Sequence, residues 1–224
     1  HSKVFEADGS PRTGSDGLQT NRTALFPRAA AEMADDWHVM GLRGTRSESY
    51  TVKDLFVAEA LTLDRDAEAE RQINTTLFHI PTITVYASVF SGVALGIAQS
   101  AFDDLLALGR EKKASIARSS LRESPVFQTR LAELQAQLGS AQAYHHAALT
   151  DVWDVVESTG VLGMPNRARI RLATTYAINE ATSVTEQIYR LAGSNAIFND
   201  QPFERRFRDI HAVSQQLQGR HTNY

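Results

Sequence analysis

The sequence contains no cysteine, which excludes disulfide bonds and thiolate metal centres and fits a reducing compartment, expected here to be the cytoplasm. It has no excess of one charge sign. Lys and Arg number 23 against 26 Asp and Glu, a net charge of −3, so there is no electrostatic footprint for nucleic acid or an anionic membrane. No window is expected to reach the ~18–20 apolar residues that a membrane-spanning helix needs, and the first residues show no charged-then-apolar leader. Internal repeats, low-complexity tracts and long heptad arrays are also missing. What is present is the composition of a globular protein: 224 residues, 42% hydrophobic and 22% charged. That length suffices for one large domain or two small ones with a substantial core.

Two grammars divide the chain. Residues 1–66 have short strand-like segments and turns. "SKVFEADGSPR" predicts a strand entering an Asp8-Gly9-Ser10-Pro11 turn, residues 22–29 a strand ended by Pro27, and residues 49–57 a strand of imperfect alternation. Residues 67–224 are helical. A long apolar helix follows Pro81, its small residues Ala87, Ser91, Gly92, Ala94, Gly96 and Ala98 suiting close helix contact. Its Phe90, Val93, Leu95 and Ile97 predict burial on several faces, including by neighbouring subunits. A second helix is predicted after Ser124 as cap with Pro125 at its first position. A third is predicted from Asn166 as cap to Gly193 as left-handed stop, and a fourth after Pro202. Four striped helices predict an up-and-down bundle.

Candidate chemistry is sparse. His145 and His146 are adjacent and point about 100° apart on a helix, a poor geometry for one metal ion. Asp103 and Asp104 read as a solvated face. "GLRGTRS" at 41–47 is a glycine-rich turn with two arginines, weakly suited to cradling phosphate. "LAGSNAIFND" at 191–200 joins two helices with small residues that admit a backbone or a cofactor. In "RRFRDIHAVSQQ", Arg205 and Asp209 stand at i, i+4 spacing for an ion pair, beside Arg208, His211 and Gln215.

In order, "DWHVMGLRGTRSESYTVKDLFV", "GVALGIAQSAFDDLLALGREKK" and "YRLAGSNAIFNDQPFERRFRDIHAVSQQ" resemble the acyl-CoA dehydrogenase superfamily of flavoproteins over about residues 20–219. The resemblance implies a mainly α chain, a C-terminal up-and-down four-helix bundle preceded by part of an antiparallel β-domain. It implies a fragment that starts at His1, lacks the family's N-terminal helical domain and does not turn over substrate alone. It implies FAD shared across subunits of a homo-oligomer, most simply a tetramer. The cofactor would meet Gly193, Ser194, Asn195 and Ala196 of the connector, and Lys112, Ala114 and Ser115 at the end of the first long helix. Ser194 and Ala196 replace two glycines of the family pattern, and Lys112 replaces an arginine that offers a bidentate fork. The family's catalytic glutamate falls on Leu217 or Gln218, neither of which is a base.

A sister branch, the two-component flavin-dependent monooxygenases, is similar as well. Its members share the "W-x-x-x-G-L-R-G-T" turn and an "R-D-x-H-x-x-S-Q-H" helix, and take reduced FMN or FAD from a separate reductase. Here the first histidine of that pattern is His211 and the last position holds Gln216, which makes these two the catalytic candidates. Three readings follow: an acyl-CoA dehydrogenase-like oxidoreductase, an oxygenase component acting on an aromatic or heterocyclic small molecule, and a non-catalytic bundle module.

Overall fold

The computed structural model describes residues 2–14, 17–111 and 121–224. Two compact units divide the chain: His1–His38 with Arg46–Phe78, and Val39–Thr45 with His79–Tyr224.

In the first unit the strands are very short. β1 (Ser2–Lys3), β2 (Asn21–Ala24) and β5 (Thr62–Leu63) form an antiparallel sheet in the order β1-β2-β5, while β3 (Glu32–Met33) pairs with β4 (Tyr50–Thr51). The predicted strand at 49–57 thus shrinks to two residues, because Asp54 takes φ +50° and leaves the extended region. The predicted Asp8–Pro11 turn is present. Asp8 Oδ1 accepts from the Ser10 amide at 2.9 Å and its hydroxyl at 2.6 Å, and Gly9 supplies φ +83°. Arg22 ties the sheet to the loop beyond it with a two-pronged bond to Glu70, at 2.7 and 3.1 Å.

A single turn, α1 (Thr76–His79), leads to four long helices: α2 (Thr82–Glu111), α3 (Pro125–Thr159), α4 (Met164–Ala192) and α5 (Pro202–Ser214). α4 is the central element, packed against α2, α3 and α5. The α2 and α4 surfaces meet through small residues, and Ala94, Ala98, Ala177 and Ala181 are completely buried. Around them Leu105, Leu134, Leu138, Ile178, Ile188 and Ile210 fill the core. Between α2 and α3 a Cβ on Gly109 would stand 2.7 Å from Phe127 Cε1, so only glycine lets that ring seat.

The helix ends follow the sequence with three exceptions, the first being Gly193, which ends α4 as expected but with ψ −138° rather than in the left-handed helical conformation. Ser124 caps α3, its hydroxyl accepting from the Phe127 amide at 3.4 Å, and Gly160 closes it at φ +72°. α4 begins earlier than predicted, at Met164 with Gly163 as cap, which places Asn166 inside its first turn. α5 stops at Ser214 rather than running on, and residues 217–219 form a separate 3₁₀ turn.

α2 also corrects the expectation about membranes. Thr82–Arg110 reaches a mean hydropathy of 1.4 over a span-length window, so by length and composition it passes as a spanning helix. The serines, glycines and threonines that interrupt its apolar run carry no charge, which is why run length missed it. A buried bundle helix meets the same criteria, and α2 packs on α4 and α5.

His145 shows how this core tolerates polar groups. It is buried on α3 with Nε2 2.7 Å from Ser91 Oγ on α2. Ser91 directs its one hydrogen at the Ala87 carbonyl (2.8 Å), so His145 Nε2–H is the donor into the hydroxyl. Burial, then the neighbouring charge of His146, push the His145 pKa below its ordinary value of 6.5. The folded state therefore holds a neutral imidazole, and the unfolded chain binds the extra proton. Stability from this site is full above about pH 6.5, falls as pH drops from there to the depressed folded-state pKa, and levels off below it. The thermal midpoint, followed by circular dichroism, should decline from pH 7.5 to pH 5, and His145→Leu should flatten that slope.

Candidate functional site

α5 is amphipathic in charge as well as in hydrophobicity, and each face holds a different neighbour. Phe203, Ile210 and Val213 enter the core. Arg206 reaches Asp104 of α2 at 3.3 Å, while Asp103 accepts from Gln99. Glu204 and Arg208 form a two-pronged pair at 2.7 and 3.0 Å, one turn apart. The Arg208 guanidinium holds the Glu204 carboxyl below the usual range.

The free prong of that arginine, together with Asp209, grips the segment Val39–Thr45. Arg208 Nη1 donates to the Met40 carbonyl at 2.6 Å, and the Leu42 amide donates to Asp209 Oδ1 at 2.7 Å. Asp209 therefore serves this amide instead of the predicted pairing with Arg205. Leu42 sits at φ +53°, an unfavourable conformation for a branched side chain, and is held there by this bond and by packing on the core. Gly41 lies backbone against backbone, since a Cβ there would be 2.0 Å from the Arg208 carbonyl oxygen. The "GLRGT" turn is a latch on α5, which accounts for its glycine without a phosphate.

Past Ser214 the chain folds back onto α4. Gln216 caps the 3₁₀ turn by accepting from the Leu217 amide at 3.0 Å. Thr175 donates to the Gln218 carbonyl (3.0 Å) and Asn179 to the Gly219 carbonyl (3.2 Å). Beneath this turn lies a cavity of about 350 Å³, walled by the starts of α2 and α4 and by Leu217, Gln218 and Asn223. Its titratable lining residues are Arg167 and Arg171; carboxylate and imidazole are absent from it.

The sequence-derived candidates distribute unevenly over this arrangement. Lys112, Ala114 and Ser115 lie outside the described residues. In the connector, Gly193 adopts φ +62° and ψ −138°, open to glycine alone, and nothing lies within 4 Å of its would-be Cβ. Ser194 is exposed, Asn195 half-buried, and Ala196 fully buried in the core, so Ala196 offers its neighbours backbone only. Ile197 and Phe198 follow as exposed apolar groups. His211 points inward instead. Its ring lies edge-on to Phe207, 4.4 Å between centroids, and Nε2 faces Glu186 Oε1 on α4 at 3.4 Å. Gln216 is exposed and engaged in capping. Neither lines the cavity, whereas Leu217 and Gln218, dismissed as bases, both do. Thr175 and Asn179 were not anticipated; their only signal was a polar pair four residues apart on a buried helix stripe.

Comparison with known proteins agrees with this architecture. The family described as "Acyl-CoA dehydrogenase, C-terminal domain" matches residues 88–218, more than half of the chain. The chain belongs to that family. Indole-3-acetate monooxygenase of Pseudomonas putida is 29% identical over 206 residues, covering 92% of this chain and 52% of that protein. The flavin-dependent monooxygenase oxygenase subunit HsaA of Mycobacterium tuberculosis is 26% identical over 195 residues, covering 84% and 50%. The chain thus spans about half the length of the curated relatives it matches. XiaF from Streptomyces, solved in complex with FADH2 and glycerol, shares the fold with a TM-score of 0.85 at 22% identity, covering 97% of this chain and 55% of that one.

The latch is directly testable. Asp209→Ala should lower unfolding stability in urea by about 1–3 kcal/mol by orphaning the Leu42 amide. Gly41→Ala should cost more, because two backbones must part. Gly44→Ala, with nothing within 4 Å of its Cβ, should be close to neutral in the same titration.

Proposed function

We propose that this chain is the bundle-bearing part of an oxygenase component of a two-component flavin-dependent monooxygenase that acts on an aromatic or heterocyclic small molecule. The observation that carries this reading is the chemistry of the cavity under the terminal turn. By the family resemblance the acyl-CoA dehydrogenase glutamate falls on Leu217 or Gln218, and among the described residues the cavity lining holds no carboxylate or histidine. Abstraction of an α-proton from an acyl thioester has no base there. The curated relatives, monooxygenases by name, support the same choice over dehydrogenation.

Reduced flavin, FMN or FAD delivered by a reductase, supplies the electrons with which dioxygen is activated. The residues of this chain bind and orient. The connector residues Gly193, Ser194, Asn195 and Ala196, at the end of α4 away from the cavity, would hold part of the flavin of a neighbouring subunit. His211 Nε2 faces Glu186 Oε1 at 3.4 Å and so joins α5 to α4. The exposed apolar row Ile83, Tyr86, Val89 and Val93 on α2 supports assembly with further copies, and the family resemblance favours a tetramer.

The purified protein should bind reduced flavin about tenfold or more tightly than oxidised flavin in anaerobic fluorescence titrations, and should slow flavin reoxidation when mixed with oxygen in stopped flow. Tight binding of oxidised FAD with bleaching by an acyl-CoA would overturn this assignment in favour of a dehydrogenase.

A further inference from the structure

Gln218 is the polar group that the rest of the molecule leaves unanswered. Among the described residues, three buried side-chain atoms lack a hydrogen bond: Asp151 Oδ2, His211 Nε2 and Gln218 Oε1. Asp151 faces Arg169 and His211 faces Glu186, so each has an opposite charge at hand. Gln218 Oε1 has none, although the residue is only 9% exposed and lines the cavity. The hydroxyls of Thr174 and Thr175 beside it are already engaged. Thr174 donates to the Arg171 carbonyl at 3.0 Å and Thr175 to the Gln218 carbonyl at 3.0 Å. A buried acceptor without a donor costs about 1–3 kcal/mol, and such a group in a cavity wall is answered by what enters the cavity.

The second observation is charge. Arg167 and Arg171, one turn apart on α4, line the same cavity, and neither forms an ion pair among the described residues, whereas Arg169 between them pairs with Asp151. Both guanidiniums are pre-set. Arg167 Nε donates to the Leu162 carbonyl at 2.8 Å. Arg171 Nη2 donates to Asn223 Oδ1, and Asn223 in turn donates to the Leu217 carbonyl at 2.7 Å. The remaining lining is chiefly apolar, including Pro81, Ile83, Ala87 and Ile170.

We infer that the cavity binds a small, largely apolar ring acid that also carries an N–H or O–H donor. The carboxylate sits against Arg167 and Arg171, the ring against the α2 residues, and the donor on Gln218 Oε1. This rests on the oxygenase reading only for the claim that the bound acid is the molecule to be oxygenated; the binding itself needs no flavin. The volume of about 350 Å³ holds one or two fused rings with a short acidic arm.

Three probes separate the two anchors: 4-hydroxybenzoate carries acid and donor, benzoate the acid alone, and phenol the donor alone. Titrated calorimetrically into the flavin-free protein, 4-hydroxybenzoate should bind about tenfold or more tightly than either of the others, as expected for one charge-assisted and one buried hydrogen bond. Arg171→Gln with Arg167→Gln should erase the advantage over phenol, and leave phenol binding unchanged. Gln218→Met, close in volume, should erase the advantage over benzoate only. Gln218→Glu, which keeps the acceptor but adds charge, should weaken both acids and spare phenol. Circular dichroism of each variant separates lost folding from lost binding. Equal affinities for the three probes, no binding of any, or an acid preference that survives the arginine substitutions would overturn the inference. Reduced-flavin binding without acid preference would sink this inference alone, whereas acid preference without flavin binding would sink only the oxygenase assignment.

Discussion

The bond from the Leu42 amide to Asp209 is the constraint on which the functional end of the bundle depends. It fixes a residue in the left-handed region, lets Gly41 lie on the Arg208 carbonyl, and leaves Arg208 free to bind Glu204 and Met40 together. Each of these contacts presupposes the others. The Asp209 carboxylate and the Arg208 guanidinium are thus architectural, both spent on holding the Val39–Thr45 segment against α5.

That architecture separates two sorts of polar group. Those that hold elements together are fully matched: Arg206 with Asp104, His145 with Ser91, Thr175 and Asn179 with the terminal turn. Of the three buried side-chain atoms without a hydrogen bond among the described residues, Gln218 Oε1 alone lines the cavity, while Asp151 and His211 face Arg169 and Glu186 elsewhere in the bundle.

Much of this was legible in the sequence. The Ser124-Pro125 start, the Gly193 stop and the small-residue face of α2 are local signals, and local chemistry decides them. The motif order identified the family for the same reason, since its residues are close in sequence. The misses are all cases where distant contacts decide. Asp54 breaks a strand that alternation predicts. Asp209 takes a partner 167 positions away instead of the arginine one turn before it. α5 ends at Ser214 although nothing in "SQQLQ" demands it, because Thr175 and Asn179 offer the chain better bonds than another helical turn. His211 and Gln216 drew attention as functional types, yet burial against Glu186 and a capping role take them away from the cavity. Gln218 was passed over because an amide cannot be a base, a correct statement that says nothing about its use as an acceptor.

The manner in which the terminal turn is fastened has an evolutionary consequence. α4 grips residues 218 and 219 by their carbonyl oxygens, which every amino acid possesses, and demands a particular side chain only at Gly219, where a Cβ would meet the Ser214 carbonyl oxygen at 2.5 Å. The position next to it is therefore a socket whose backbone stays still whatever side chain is fitted. A lineage can exchange a proton-abstracting group for a hydrogen-bonding one there by single substitutions, with no cost in scaffold geometry. One bundle can in this way serve reactions as different as dehydrogenation and oxygenation.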